Sequence, residues 1–175
     1  MMDSPNEIST IKIMIVGPRL AGKTSLIEKY TDDWGQAEKN GPLIPFSLMT
    51  KEILIDGKQS QLTLLDINGG ERFLPITSKL FPFGGGFMFV YDVTDYESFR
   101  KIEIWLKKVD QLANHSAFKL LIGNKHDKRS DRVVSKEAGL GLARKYGVHF
   151  METSIEDSEG IKGAFNMVLS NIKKH

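Results

Sequence analysis

The residues of this chain best suited to chemistry fall in a few short clusters. Gly17-Pro18-Arg19-Leu20-Ala21-Gly22-Lys23-Thr24 fits the pattern G-x-x-x-x-G-K-[ST], after an apolar run at Ile11–Val16 and before a helix-compatible segment at Ser25–Tyr30. That strand–loop–helix context suits an anion cradle. Gly17 and Gly22 carry no Cβ, so the backbone can turn tightly and approach a phosphate. The amides of Leu20, Ala21 and Gly22, with those opening the helix at Lys23, Thr24 and Ser25, then point at a polyphosphate, and Lys23 adds a full positive charge. Thr24 offers a hydroxyl to a phosphate-bound Mg²⁺.

Further clusters follow in order. Asp66-Ile67-Asn68-Gly69 ends an apolar segment, where Asp66 can hold Mg²⁺ through its waters and Gly69 can bring an N–H to a terminal phosphate. Asn124-Lys125-His126-Asp127 follows the run Phe118–Gly123. A carboxylate at Asp127 can accept both the N1–H and the exocyclic amine of guanine, whereas adenine leaves that charge unpaired. Asn124 can tie its loop to the phosphate loop, and Lys125 can lay its stem along the base. Glu152-Thr153-Ser154-Ile155 is the weakest cluster, with Ser154 and Ile155 placed to offer backbone amides to a base carbonyl.

The elements that must position these clusters alternate. Strands are expected at Ile11–Val16, Phe46–Ile55, Gln61–Asp66, Phe87–Tyr91, Phe118–Ile122 and Val148–Glu152, and Asp56-Gly57 marks a hairpin turn between the second and third. Helices are expected over Gly22–Tyr30, Tyr96–Leu112, Lys136–Tyr146 and Ile161–Ile172; in the second, Phe99, Ile102, Trp105, Leu106, Val109 and Leu112 recur at helical spacing. Thr31–Pro45 has no periodicity and reads as a long functional loop. Gly84-Gly85-Gly86 reads as a turn into the next strand, and Phe81-Pro82-Phe83 as an exposed contact face. The order β-α-β-β-α-β-α-β-α-β-α predicts an α/β fold: a mostly parallel six-stranded sheet, one antiparallel edge strand, and helices on both faces.

Composition narrows the classes. The 175 residues suffice for one domain with a proper core. With 24 basic and 22 acidic side chains, nothing calls for nucleic acid as a partner. The sequence has no cysteine, and its histidines (His115, His126, His149, His175) lack metal-ligand spacing. No apolar run approaches the roughly 20 residues of a membrane span, and the polar start Met1–Pro5 is not a signal peptide, so a cytoplasmic protein is expected.

The ordered set of phosphate loop, D-x-x-G, N-K-x-D and serine-bearing loop resembles the Ras-like small GTPases. Glu71-Arg72-Phe73, Tyr91-Asp92-Val93-Thr94, Glu97-Ser98-Phe99 and Trp105-Leu106 are similar to Rab-type sequences. The resemblance runs from about Thr10 to Ile172, with residues 1–9 left as an N-terminal extension and 10–175 as the G-domain. It implies a P-loop fold, GTP and GDP as ligands with Mg²⁺ on Thr24 and Asp66, and effector or regulatory proteins reading loops 31–45 and 67–83. It also implies an aromatic residue against the guanine face, with Trp34 nearest that place.

Several positions depart from the family. Where it carries a glutamine that orients the attacking water, this chain has Gly70, so intrinsic hydrolysis is expected to be very slow. Arg19 stands where small residues are usual; it crowds the terminal-phosphate side or, on a competing reading, acts as an arginine finger in cis. No threonine lies between Asp32 and Met49 to bind Mg²⁺ and sense the terminal phosphate, so the first loop is expected to respond less to nucleotide state. Glu156 replaces a base-flanking lysine. The sequence ends in Lys173-Lys174-His175 without prenylatable cysteines, so no lipid anchor of its own is expected, and membrane recruitment falls to a partner.

The expected function is therefore a slow small GTPase in trafficking or signalling. The alternative is a constitutively GTP-bound adaptor. A metabolic kinase or ATPase is disfavoured by the N-K-x-D cluster and by the lack of a second substrate domain.

Overall fold

The computed structural model describes residues 8–34 and 44–172. Six strands, β1 (Ser9–Val16), β2 (Phe46–Ile55), β3 (Lys58–Ile67), β4 (Gly86–Asp92), β5 (Phe118–Asn124) and β6 (His149–Thr153), form one sheet in the order β2-β3-β1-β4-β5-β6. Only β2 runs antiparallel to its neighbour, β3. Its helices are α1 (Lys23–Tyr30), α2 (Leu74–Thr77), α3 (Tyr96–Leu112), α4 (Lys136–Tyr146) and α5 (Ser158–Asn171).

Strand alternation splits the core into two layers. Along β1, Ile11, Ile13 and Ile15 face α1 and α5, where they meet Leu26, Ile27, Ile161 and Phe165. Met14 and Val16 point the other way, toward α3 and α4. On β4, Phe87, Phe89 and Tyr91 join Trp105 and Val109 of α3, while Met88 and Val90 join the α1–α5 layer. Strands covered on both faces need apolar residues at every position, and all of β4 is buried. In the β2–β3 hairpin, Asp56 and Gly57 adopt φ of 48° and 76°, the left-handed pair of a type I′ turn.

The helix starts differ in a way that matters for the site. Asp95, Ser135 and Asp157 cap α3, α4 and α5 by accepting from the amides of Glu97, Ala138 and Gly160. No side chain caps α1, whose N-cap is Gly22.

The sequence expectations hold for β2, α3 and α4 to the residue. β3 begins at Lys58 rather than Gln61, because Lys58, Gln59 and Ser60 pair with Ile55, Leu54 and Ile53 whatever their polarity. α5 begins at Ser158 rather than Ile161, because the Asp157 cap sets its first turn. One expectation is corrected: Phe81 is fully buried, edge-on to Phe87 at 5.8 Å, and only Pro82 and Phe83 of that segment are exposed. Most of the expected loop at Thr31–Pro45 lies outside the described residues.

Candidate functional site

The motif clusters meet at the carboxyl edge of the sheet, where β1 lies between β3 and β4. Crevices at that edge are where open α/β sheets bind ligands. Two cavities open there, of about 420 and 270 Å³, and share Leu20, Lys23 and Thr24. The larger also holds Gly22, Ser25, Asn124, Lys125, Asp127, Ile155 and Glu156. The smaller holds Arg19, Ser47, Asp66, Asn68 and Gly69. A bigger cavity of about 820 Å³ lies at the opposite edge, among Lys12, Lys58, Phe83 and Ile172, and contains none of the motif residues.

The phosphate loop is built from its backbone. Gly22 has φ of 95°, and a Cβ there would run into the carboxamide of Asn124. Leu20 takes the same left-handed region at φ 66°, uncommon for a leucine, with its side chain almost fully exposed. The Lys23 ammonium folds back under the loop and donates to the Pro18 carbonyl at 2.8 Å. Burial pulls its pKa down to about 8, against the raising pull of Asp66 and with a further lowering by Arg19. A buried ammonium beside uncapped helix amides suits an anion.

Thr24 donates to Asp66 Oδ2 at 2.5 Å, so a hydroxyl and a carboxylate from two elements converge on one point. Burial pushes the Asp66 carboxyl above its ordinary range, while the Thr24 hydroxyl and the Lys23 charge pull it down. A hard divalent cation favours such an oxygen pair. Gly69 packs directly on this loop: a Cβ on it would lie 2.5 Å from the Arg19 nitrogen and the Gly17 oxygen. Gly70 is extended, at φ −68° and ψ 122°, and donates to Asn68 Oδ1 at 2.9 Å. Arg19 is exposed at the rim.

On the other side, Asn124 is fully buried and works as a fastener. Its amide donates to the Ala21 carbonyl at 3.0 Å, and its oxygen accepts from the Thr153 hydroxyl at 3.0 Å. Lys125, at φ 67°, donates to the Leu20 carbonyl at 3.1 Å and pairs with Asp92 at 2.8 Å. Burial pushes the Asp92 carboxyl up, but hydrogen bonds from Lys125 and Thr94 outweigh it and hold it below the usual range. Asp127 is exposed at the cavity mouth. Ser154 is buried and its hydroxyl accepts from the Glu156 amide at 3.1 Å, which fixes the turn that presents Ile155.

Of the predicted set, Trp34 is not brought to the cavity. Its ring packs edge-on to Tyr30 at 5.7 Å and lies under the Lys51 ammonium at 5.3 Å. Asp92 and Thr153, which hold Lys125 and Asn124, lie outside the residues that the motif spacing singles out. The signal for Asp92 was present: like Asp66 it is a carboxylate at the carboxyl end of a buried strand.

This arrangement defines a P-loop nucleotide-binding domain. A model of the Ras family matches residues 12–174. The chain is 38% identical over 163 residues to Ras-related protein RABD1 of Arabidopsis thaliana, covering 93% of this chain and 79% of that one. It is 38% identical to Ras-related protein RIC1 of Oryza sativa subsp. japonica, covering 93% and 80%. With Ras-related protein Rab-18 of Lymnaea stagnalis the identity is 33%, over 98% and 84%. The chain belongs to the Ras family of small GTPases, whose members bind GTP and GDP with Mg²⁺ and hydrolyse GTP, and it is Rab-like within it.

Proposed function

We propose that this GTPase turns GTP over far more slowly than relatives with a glutamine after the D-x-x-G loop, and so rests in its GTP form. The observation that carries this reading is Gly70, which places no side chain beside the cavity of Lys23, Thr24 and Asp66. Orientation of the attacking water is a large share of intrinsic hydrolysis in this class.

The geometry supports the following roles. Gly17, Leu20, Ala21, Gly22 and Ser25 shape and line the phosphate cradle, Lys23 neutralises phosphate charge, and Gly69 brings its amide close to the loop. Mg²⁺ supplies charge neutralisation between phosphates, and the Thr24–Asp66 pair is the place for it. Asp127 reads guanine, Lys125 flanks the base, Asn124 locks the two loops together, and Ser154 with Ile155 closes the far side.

The domain spans 10–175, with 1–9 as an extension. Partners read the surfaces of loops 31–45 and 67–83, in vesicle trafficking or signalling. Among the described residues, no helix is long and apolar enough to cross a membrane. A cytoplasmic protein brought to membranes by a partner fits this picture.

Single-turnover hydrolysis of preloaded GTP tests the proposal. The expected rate is on the order of 10⁻⁵ s⁻¹, at least about tenfold below an ordinary Ras-type intrinsic rate. A rate equal to the ordinary one overturns it. A second reading, a non-cycling GTP-bound adaptor, is favoured by the absence of threonine between Asp32 and Met49. Stimulation by a cytosolic extract separates the two: acceleration means that a partner completes the site, and none leaves the adaptor.

A further inference from the structure

We propose that Asn68 is a built-in latch that fastens the end of the first partner-reading loop to the second, independently of which nucleotide is bound. The inference rests on the reading of the edge cavity as a nucleotide site, but not on the rate of hydrolysis.

The latch sits at the end of the β2–β3 ladder, whose last regular pair is Phe46 with Ile67. The next residue on the β2 side is Pro45, which has no N–H, so the ladder cannot continue by mutual exchange. One bond remains available and is made: the Asn68 amide donates to the Pro45 carbonyl at 2.8 Å. Beyond it the Asn68 side chain takes over. Its Nδ2 donates to the Ile44 carbonyl at 3.1 Å, while its Oδ1 accepts from the Gly70 amide at 2.9 Å. The second bond fixes which way the carboxamide faces: with oxygen toward Gly70, nitrogen must face Ile44. One residue thus holds residues 44 and 45 on one side and 70 on the other.

Asn68 also lines the smaller cavity with Lys23, Thr24 and Asp66. Every atom it grips is protein backbone, so neither the phosphates nor Mg²⁺ is needed to hold the two loops together. A latch of this kind suits a chain without a threonine between Asp32 and Met49 to tie the first loop to a terminal phosphate. The surface around Ile44–Ser47 and Asn68–Phe73 then keeps one shape in both nucleotide forms. A partner reading it senses the protein's presence rather than its nucleotide.

Hydrogen–deuterium exchange on the full chain, loaded with GDP or with a non-hydrolysable GTP analogue, tests the latch. In the unsubstituted protein, exchange in peptides covering 44–49 and 67–73 should agree within about threefold between the forms. Asn68→Ala should speed it about tenfold in the GDP form, the effect of losing a hydrogen bond or two. Asn68→Asp keeps the acceptor for the Gly70 amide and loses the donor to Ile44, so it should free 44–49 while leaving the Gly70 amide protected. If the GDP form of the unsubstituted protein exchanges tenfold faster there than the analogue form, or if Asn68→Ala and Asn68→Asp leave exchange unchanged, the latch is wrong. Failure to bind either nucleotide would instead sink the site reading itself.

Discussion

Asp92 and Lys125 meet at 2.8 Å, with the Asp92 carboxylate nearly buried at the end of β4 and the Lys125 ammonium also donating to the Leu20 carbonyl. A carboxylate outside the recognised motifs therefore aims a motif lysine back at the phosphate loop. Asp92 Oδ1 is taken by the amide and hydroxyl of Thr94, at 2.8 and 2.7 Å, so only Oδ2 serves Lys125.

Asp92→Asn keeps an oxygen for Thr94 and removes the charge that holds Lys125. A charge-assisted hydrogen bond contributes roughly 1.5–3 kcal/mol. GDP release should accelerate by about tenfold or more. Stopped-flow release of a fluorescent GDP checks this, and unchanged release would mean that Lys125 is placed by Leu20 alone.

Gly70→Gln restores the missing carboxamide. The backbone there is extended and accepts any L-residue, and a Cβ would meet Asn68 Oδ1 at 3.2 Å and a Phe73 ring carbon at 3.3 Å, both on side chains able to yield slightly. Single-turnover hydrolysis should rise by at least about tenfold toward the ordinary Ras-type rate. No rise would put the defect elsewhere, with Arg19→Gly the next variant to assay. If Arg19→Gly is faster than the unsubstituted protein, Arg19 obstructs; if slower, it assists in cis.

Tyr91 holds a different kind of tension. Its hydroxyl is buried without a hydrogen-bond partner among the described residues, and burial, with Glu152 adding, raises its pKa. The ring itself is well used, edge-on to Phe99 at 5.0 Å. Tyr91→Phe removes an unsatisfied polar atom, so it should stabilise by about 1 kcal/mol, or roughly 2–4 °C in Tm for a domain of this size. Calorimetry on the nucleotide-loaded protein reads this directly; a loss of stability would show that the hydroxyl is hydrated or bonded in solution.

Glu103 joins α3 to α4, accepting from the Tyr146 hydroxyl at 2.6 Å and the Lys145 ammonium at 3.1 Å. The Tyr146 hydrogen bond lowers the Glu103 pKa, against a smaller raising by burial. A lowered carboxyl stabilises the fold above its unfolded-state pKa, and that contribution is lost as pH falls through the lowered value. Tyr146→Phe should therefore cost about 0.5–1 kcal/mol at neutral pH, a modest figure for a partly exposed bond. In acid, once Glu103 is protonated in both proteins, the difference should shrink. Denaturant melts at both pH values test it, and a pH-independent difference would assign the cost to packing alone.

The sequence revealed most of what local physics decides. α3 is visible because Ile102, Trp105, Leu106 and Val109 are all buried on one stripe, and the β2–β3 turn because Asp56-Gly57 suits left-handed backbone. Motif residues such as Lys23, Thr24, Asp66 and Asn124 were legible by spacing, and they do converge on one sheet edge. What escaped was contact between distant residues. Asp92 lies 33 positions before Lys125, and Asn68 reaches back to Ile44, so neither pairing leaves a periodic trace. Phe81 escaped for a related reason: a short Phe-Pro-Phe segment looks exposed throughout until Phe87 of β4 is seen to cover its first ring. The ring of Trp34 packs on Tyr30 and Lys51, on neighbouring elements, a contact that its position in the sequence does not reveal.

With Gly70 in place of the water-orienting glutamine, this GTPase should rest on GTP. The most direct test is to denature freshly purified protein and separate the released nucleotide by chromatography. Mostly GTP is the expected result. Mostly GDP would contradict it, because turnover would then survive without a side chain at the water-orienting position.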